Sequence, residues 1–246
     1  MSSAKSSIIG NSLIACLSRK ERSQLLKQCE PVELVFGEIL SAVDQPIEHV
    51  YFPQVGFISL IATLQDHEPL EMGLVGNEGM LGATLALGIN EAPMRAVVQG
   101  TGTALRVGAA RLREEMHESP GLAAVVYRYL YVSIAQLARS AACLRFHELS
   151  PRLARWLLMT HDRAHADEFY LTHEFLADML GVQRSGVSIA AYALQRKKLI
   201  RYSRGTISVL NRPGLEAASC DCYKALLKDY TKVFKPPRRH GSVSAP

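Results

Sequence analysis

The sequence predicts an α+β protein in three consecutive parts: an amino-terminal β-roll, one long helix and a carboxyl-terminal winged helix-turn-helix. Residues 31–107 contain six short apolar segments separated by turn sequences. Residues 122–144 repeat apolar side chains at three- and four-residue steps. Residues 172–209 follow the order helix, glycine turn, helix and hairpin. The expected divisions are 1–117 for the β-roll, 118–147 for the long helix, 148–234 for the winged helix-turn-helix and 235–246 for a basic disordered tail.

The β-roll is predicted from segments rich in β-branched and aromatic residues. These segments are VELVF, HVYF, GFISLIAT, LEMGLV, RAVVQ and TALRV, and most are separated by turn sequences such as FPQVG, QDHEP and GNEG. Short strands at such spacing are typical of a compact roll or barrel. We therefore expect six separate strands in this region.

The long helix is predicted to begin at Ser119-Pro120, after a short charged helix at 109–117, because a cap followed by a first-turn proline is typical of a helix start. Its apolar stripe is wider than one neighbouring domain would cover, which favours a seam between two copies of the chain. Burial of the helix against its own β-domain is the alternative. The residues expected in the seam are Leu122, Val126, Tyr129, Leu130, Leu137 and Leu144.

The carboxyl-terminal part is predicted from local start and stop signals. LTHEFLADMLG indicates a helix that begins after Thr172 and ends at Gly181. A second helix is expected over 184–197. IRYSRGTISVL then indicates a β-hairpin with its turn at SRG, and one last helix is expected from Pro213 onward.

Charge is distributed unevenly along the chain. Residues 1–150 carry a net charge of −3 and residues 151–246 a net charge of +8, and 182–212 contain seven basic and no acidic residues. A helix-turn-helix places its second helix in the DNA major groove, where each base pair presents a distinct pattern of hydrogen-bonding groups. We therefore expect double-stranded DNA as a partner. A solvated basic face is the alternative.

The residues expected to contact DNA fall into two sets. Side chains at the start of the second helix are expected to read bases, since the guanidinium fork of Arg184 matches the edge of guanine. Residues around that helix are expected to contact phosphates, which supply affinity without sequence information. The base-reading set is Gln183, Arg184, Ser185, Ser188 and Ile189, and the phosphate set is Thr172, Lys197, Lys198, Arg201 and Arg204.

The segment LTHEFLADMLGVQRSGVSIAAYALQRKKLIRYSRGTISVLNRPGLEA resembles the helix-turn-helix of the Crp/Fnr family of bacterial regulators. The resemblance extends to the order of β-roll, long helix and winged helix. It implies a cyclic-nucleotide-binding-like double-stranded β-helix, a homodimer joined through the long helix, and RNA polymerase as a further candidate partner. Where many members have Glu and a later Arg on the reading helix, this chain has Ser185 and Ile189. The usual operator of the family is therefore not expected.

The segment VGNEGMLGATLALGINEAPMRAVVQ resembles the phosphate-binding cassette of the same family. Members that bind a cyclic nucleotide use a Glu of the short helix for the ribose and an Arg for the cyclic phosphate. Here the helix reads Gly82-Ala83-Thr84, and Arg95 falls one position late, with Ala96 after it. Because charge-assisted contacts are the strong ones, ordinary cyclic AMP is not expected to bind. The candidate effector-pocket residues are Gly79, Gly82, Ala83, Thr84, Arg95 and Ala96.

The five cysteines are scattered through a chain without a secretion signal, so we expect reduced thiols. Two thiols in a Cys-x-Cys sequence on one helix point about 200° apart, which is poor for one metal ion. No metal site and no cofactor are therefore expected, although a redox or iron–sulfur sensor stays as an alternative. The cysteines are Cys16, Cys29, Cys143, Cys220 and Cys222.

Other function classes lack support in the sequence. No GxSxG or phosphate-loop sequence occurs, so neither an enzyme nor a catalytic residue is expected. No apolar run approaches the roughly 20 residues of a membrane span, so we expect a cytoplasmic protein with no membrane partner. The predicted function is a homodimeric, sequence-specific transcription regulator whose β-roll senses an effector other than a standard cyclic nucleotide. A constitutive regulator with a vestigial sensor domain is the alternative.

Overall fold

The computed structural model describes residues 10–65, 67–164 and 166–234, so the predicted tail at 235–246 lies outside the described residues. The chain folds into a β-rich amino-terminal part, one long helix and a carboxyl-terminal part with a helix-turn-helix and a small sheet. This arrangement confirms the predicted α+β fold class. The domain boundaries themselves stay a prediction.

Two helices that the sequence reading missed precede the β-roll, α1 (Ser12–Ala15) and α2 (Arg19–Gln28). A capping box starts α2: the Ser18 hydroxyl accepts from the Glu21 backbone N–H, and the Glu21 carboxylate accepts from the Ser18 N–H. The sequence Ser-x-x-Glu is the known signal for such a start and could have revealed this helix. Glu21 also accepts hydrogen bonds from Ser119 Oγ and Gly121 N–H, so it fixes the start of the long helix as well.

The β-roll is one antiparallel sheet with strand order β1-β5-β3-β4, and β2 also pairs with β5. Between β4 and β5 the chain forms a short 3-10 helix, Ala83–Leu87. The strands are β1 (Glu30–Leu34), β2 (Ile39–Ser41), β3 (His49–Ala62), β4 (Leu70–Val75) and β5 (Arg95–Gly108).

The expectation of six separate strands was wrong, because two pairs of predicted strands are continuous. HVYF and GFISLIAT form β3, and RAVVQ and TALRV form β5. The intervening FPQVG is a bulged segment with register shifts. Gly56 in it has φ +82, and a Cβ at this position would lie only 2.3 Å from the Gly100 carbonyl oxygen. Such bulges bend a strand without ending it, so turn-like residues at this place mark a bend within β3.

The predicted charged helix and long helix are confirmed as α3 (Ala109–Glu118) and α4 (Pro120–Phe146). The Ser119 hydroxyl accepts from the Leu122 N–H, and Pro120 occupies the first turn. Because α4 is long and apolar, it meets the length and composition of a membrane span, contrary to the sequence expectation. In the fold one side of α4 packs on the 3-10 helix, β4 and α3, which is the environment of a core helix.

The expected dimer seam on α4 requires a correction. Four of its six residues are at most 8% exposed and belong to the core between α4 and the β-roll. The other two, Leu137 and Leu144, are half-buried. Burial against the chain's own β-domain, the alternative reading, therefore accounts for Leu122, Val126, Tyr129 and Leu130. The periodicity identified the apolar residues of α4. It could not distinguish the face that packs on the β-roll of the same chain from the face that stays exposed.

The carboxyl-terminal part packs its helices on a three-stranded antiparallel sheet with order β6-β8-β7. The expectation of one last helix was wrong, because the chain leaves the helix at Ser219, where the backbone is extended, and re-enters it at Cys222. The elements are α5 (Leu149–Ala164), β6 (Glu168–Tyr170), α6 (His173–Leu180), α7 (Arg184–Arg196), β7 (Ile200–Ser203), β8 (Thr206–Val209), α8 (Arg212–Ala218) and α9 (Cys222–Phe234).

Helix α5 joins this part to the β-roll through a shared core and two polar contacts. Trp156 Nε1 donates to Glu71 Oε1 over 2.7 Å, and Ser59 Oγ donates to Glu71 Oε2 over 2.6 Å. Nearer the end of α5, the guanidinium of Arg163 pairs with Glu78 over 2.6 Å and also donates to the Met159 carbonyl. Desolvation raises the pKa of Glu71 to about 7, against its ordinary value of 4.5.

We expect Glu71 to make stability depend on pH. Because its folded-state pKa is raised, the folded protein holds the proton more tightly than the unfolded chain does. The stabilisation is complete below about pH 4.5 and is lost as pH rises through about 7. Urea unfolding between pH 5 and 8 should show a decline of roughly 2 kcal/mol in wild type that Glu71→Gln lacks. The exposed Glu33→Gln should retain the wild-type slope, and equal slopes in all three proteins would contradict the assignment.

Candidate DNA interface and effector cavity

The two helices of the helix-turn-helix are held at a fixed angle by a glycine turn and a buried face. Gly181 ends α6 in the left-handed conformation with φ +62, where its N–H bonds back to α6 carbonyls. Thr172 caps the start of α6, its hydroxyl accepting from the Phe175 N–H. The buried face of α7 packs on α5 and α6 and comprises Val187, Ala190, Ala191 and Leu194. These contacts leave the opposite face of α7 outside the core.

The predicted base-reading residues lie at the exposed start of α7, with one exception. Gln183, Arg184, Ser185 and Ile189 are exposed. Ser188 is half-buried, and its hydroxyl donates to the Arg184 carbonyl over 3.2 Å and lies 2.9 Å from His173 Nδ1. Ser188 therefore connects the two helices and is less available to bases than its neighbours.

The sequence reading missed two residues of the exposed α7 face, Tyr192 and Arg196. Together with Ser185 and Ile189 they follow steps of four, three and four residues, which place them on one side of the helix. Ile189 is 72% and Tyr192 is 62% exposed, so this face carries two large apolar side chains outside the core. The same helical spacing, counted onward from Ser185, would have identified both residues from the sequence.

A stacked histidine connects this face with the wing. The rings of His173 and Tyr202 stack at 4.1 Å with 15° between their planes. Desolvation, and then the charge of Arg184, lower the pKa of His173 below its ordinary value. Arg184 itself lies 3.6 Å from the Glu174 carboxylate in a solvent-exposed pair, which is weak. Arg184 is therefore held loosely and can exchange this partner for another.

The predicted phosphate-contacting residues differ in their availability. Lys197, Lys198 and Arg204 are exposed and carry no ion pair within the described ranges. Arg204 and Gly205 both have positive φ and form the two-residue turn of the wing, a type I′ hairpin. Arg201 is exposed but pairs with Glu168 on β6 over 3.2 Å. The hydroxyl of Thr172 is already used as a helix cap.

A cavity of about 190 Å³ lies between the β-roll and α4. Three predicted effector residues, Gly82, Ala83 and Thr84, line it together with α4 residues such as Ser133 and Ile134. The lining includes Glu48 and His49 but neither Lys nor Arg. The walls therefore offer an apolar space with a few hydrogen-bonding groups and no permanent positive charge for a phosphate.

Gly79, Arg95 and Ala96 do not line this cavity, contrary to the expectation. A side chain at Gly79 would overlap the Tyr129 hydroxyl, so this glycine permits α4 to approach. Side chains alternate along β5: Ala96 faces the roll interior, whereas Val97 packs on the core of the carboxyl-terminal part. Arg95 shares the face of Val97. The Arg95 side chain therefore points away from the cavity. The sequence predicted a strand here but could not tell which of its residues face the roll interior.

The structure also corrects the argument against a metal site. Cys220 lies in the break between α8 and α9, and Cys222 is the first residue of α9, so the Cys-x-Cys sequence is not on one helix. Both thiols lie beside Cys143 of α4 and His147, the residue that ends this helix. The five cysteines all fall in the described ranges and are free.

Comparison with known proteins places these elements in a common architecture. Residues 151–218 match the model of the Crp-like helix-turn-helix domain. FixK2 from Bradyrhizobium japonicum has a TM-score of 0.65 at 17% identity, covering 78% of this chain and 98% of its own. The c-di-GMP responsive global regulator CLP from Xanthomonas campestris has a TM-score of 0.63 at 16% identity, with 78% and 99% covered. At these identities the likeness shows a shared fold. No curated protein matches the sequence.

We expect Gly181→Ala to destabilise the helix-turn-helix, since a non-glycine residue at φ +62 costs roughly 1 to 2 kcal/mol. The added Cβ would also lie 2.7 Å from Leu70 Cδ1. Gly108→Ala is the matched control, because its backbone is extended and a Cβ there meets open space. Urea unfolding should therefore separate the two variants. A control as destabilised as Gly181→Ala would refute the role of the left-handed turn.

Proposed function

We propose that this chain is a DNA-binding transcription regulator of the Crp/Fnr family that recognises a specific operator as a homodimer, without enzymatic activity. The match of residues 151–218 to the Crp-like helix-turn-helix model and the fold shared with FixK2 and CLP support the proposal. The observation that carries the proposal is the exposed face of α7, whose start presents Arg184 and Ser185 while its buried face fixes it on α5 and α6. RNA polymerase is a further candidate partner. Such a regulator acts in the cytoplasm.

The exposed face of α7 supports base reading through two chemistries. Arg184 and Gln183 supply hydrogen bonds to base edges at the start of the helix. Ile189 and Tyr192 supply apolar surface of the kind that contacts thymine methyl groups. We therefore propose a half-site that combines guanine with thymine. Selection of bound sequences from a random DNA pool tests this composition directly.

Phosphate contacts are proposed for the cations that flank α7 and the wing. Lys197, Lys198 and Arg204 carry the interaction, and Arg196 joins them as a fourth exposed cation. Arg201 contributes less, because it would first have to leave Glu168. Thr172 would contact a phosphate through the backbone at the α6 start, where helix N–H groups favour anions.

The dimer is proposed to form through the part of α4 that the chain leaves exposed. Exposed residues on this face follow alternating steps of four and three, the repeat of a two-stranded coiled coil. Tyr127 and Tyr131 are more than half exposed, and Ile134 is 63% exposed. This stripe replaces the seam expected from the sequence, with Leu137 and Leu144 at its edge. It comprises Tyr127, Tyr131, Ile134, Ala138, Ala141 and Arg145.

The effector is proposed to be a small, largely apolar molecule without a phosphate. The cavity walls support this, since they contain no permanent positive charge to offset one. Ile134 belongs both to the cavity lining and to the exposed stripe, so a bound molecule would touch the dimer helix directly. The competing proposal is a constitutive regulator with a vestigial cavity. Operator titrations with and without a panel of apolar metabolites separate the two.

Replacing Arg184 and Arg204 by Ala should have different effects on DNA binding. Arg184→Ala should cost roughly 1 to 3 kcal/mol per half-site and relax the preference at one base pair. Arg204→Ala should weaken binding to all sequences about equally and lower the salt slope by about one unit per site. Titrations on specific and scrambled duplexes at several salt concentrations measure both effects. If Arg204→Ala alters sequence preference and Arg184→Ala does not, α7 is not the reading element.

Ile134→Glu should convert the proposed dimer to monomers, because two charges would face each other in the apolar stripe. Affinity for a two-half-site operator should then fall by at least about tenfold, since each half-site would be bound separately. Val35→Glu is the control, because Val35 is 56% exposed and lies in the β-roll, outside both α4 and the helix-turn-helix. Sedimentation at micromolar concentration distinguishes the species. Wild-type protein that sediments as a monomer would count against the dimer.

A further inference from the structure

Three cysteines and a histidine from distant parts of the chain converge at the carboxyl-terminal end of α4. Cys143 and His147 are one helical turn apart, and Cys220 and Cys222 approach them from the α8–α9 junction. The sulfur atoms and a ring nitrogen all lie within 4.8 Å of one another. Hydrogen bonds from the Cys220 N–H to the Pro151 carbonyl and from the Tyr223 N–H to the Cys220 carbonyl fix the junction.

The distances within this group match those around a single tetrahedral ion. A zinc ion bound at about 2.3 Å to sulfur and about 2.0 Å to nitrogen separates two sulfurs by about 3.8 Å and a sulfur from a nitrogen by about 3.5 Å. Cys143 Sγ lies 3.7 Å from Cys220 Sγ, and Cys222 Sγ lies 3.6 Å from His147 Nδ1. An iron–sulfur cluster has at least two irons, so ligands that bind different irons stand farther apart than ligands of one ion, whereas all four atoms here lie within 4.8 Å of one another. The spacing therefore favours one ion over a cluster.

The histidine is oriented as in known metal sites. Its Nε2 lies 3.3 Å from the Asp221 carboxylate, which leaves Nδ1 directed at the thiols. A carboxylate behind a histidine fixes the ring and raises its strength as a ligand. Asp221 stands between the two cysteines in the sequence, so one short segment supplies two ligands and the residue that orients a third.

The three thiols are buried apart from the larger hydrophobic clusters. Cys143, Cys220 and Cys222 are at most 6% exposed and form a separate cluster with no other hydrophobic member. Bound zinc with three thiolates and a neutral histidine carries one negative charge. Arg155 offers a buried Nε that has no hydrogen-bond partner within the described ranges, and it stands on the adjacent α5. A guanidinium there would offset the charge of the site.

We propose that Cys143, His147, Cys220 and Cys222 bind one Zn²⁺ in a closed tetrahedral site. Binding deprotonates the three thiols and releases three protons to solvent, while the zinc keeps its charge of +2. Four protein ligands leave no open position, so the site is structural. It joins the end of α4 to the α8–α9 junction, across 77 residues of sequence. The proposal is independent of DNA binding and of the effector.

The test uses the full chain, purified with a thiol reductant and without chelator, and elemental analysis by mass spectrometry. We expect one zinc per protomer and no iron. Replacement of zinc by Co²⁺ should give the visible absorption of tetrahedral cobalt together with thiolate-to-metal charge transfer. Cys220→Ser and His147→Gln should lose the stoichiometric metal, whereas Cys16→Ser, an exposed cysteine outside the group, should keep it.

Measurements on wild type keep the proposal open to refutation even where a variant fails to fold. Reduced protein without zinc that also fails to bind Co²⁺ tetrahedrally overturns it. A Cys143–Cys220 disulfide in freshly isolated protein, or iron with inorganic sulfide, overturns it in favour of a redox site. If His147→Gln folds and still binds one zinc per protomer, His147 is not a ligand and the proposed site is refuted. Removal of zinc by a chelator should lower the apparent Tm of wild type by at least about 5 °C.

Discussion

The ion pair between the buried Arg163 and the partly exposed Glu78 is the contact on which the arrangement of the two halves depends. Arg163 lies in the last turn of α5, and its side chain is 5% exposed, so solvent has little access to its guanidinium. Removing Glu78 would leave the buried Arg163 charge without its partner, a change that costs up to about 3 to 5 kcal/mol in buried pairs. Glu78 lies in the loop before the 3-10 helix that lines the cavity, and its oxygen also accepts from the Gly76 N–H. The ion pair between Arg163 and Glu78 therefore fixes the wall of the cavity to the carboxyl-terminal part of the chain.

Around this pair the remaining contacts between the halves reinforce α5 as the connecting element. Phe57, Ile61 and Leu74 of the β-roll belong to the same core as Trp156, and the Glu71 carboxylate accepts from Trp156 on the same helix. Since α5 also packs on α7, a shift of the roll would be transmitted to the reading helix through packed side chains. Packed side chains of α5 thus connect the β-roll with α7, whose opposite face is exposed.

The sequence predicted correctly those structural features whose signals lie within a few residues of one another. The helix-turn-helix and its wing were predicted correctly, because Thr172, Gly181 and the Arg204-Gly205 turn act within a few residues. The strands were divided wrongly, since a bulge at Gly56 and a turn use the same residue types. Three features depend instead on residues that are distant in sequence, and the periodicity of apolar residues carries no information about such partners. They are the face of α4 on which Leu130 lies, the side of β5 on which Arg95 lies and the helix break at Ser219.

Helix α4 shows why these non-local choices matter for function. One of its faces is buried in the β-roll core through Tyr129, another lines the cavity through Ser133, and a third carries the exposed stripe that includes Tyr131. Its carboxyl-terminal end presents Cys143 to the α8–α9 junction, and Arg139 pairs with Asp229 on α9 nearby. A rigid helix cannot change one of these contacts independently of the others. The cavity, the proposed dimer stripe and the thiol cluster therefore share one element, and a metal bound at that cluster would fix the carboxyl-terminal end of α4.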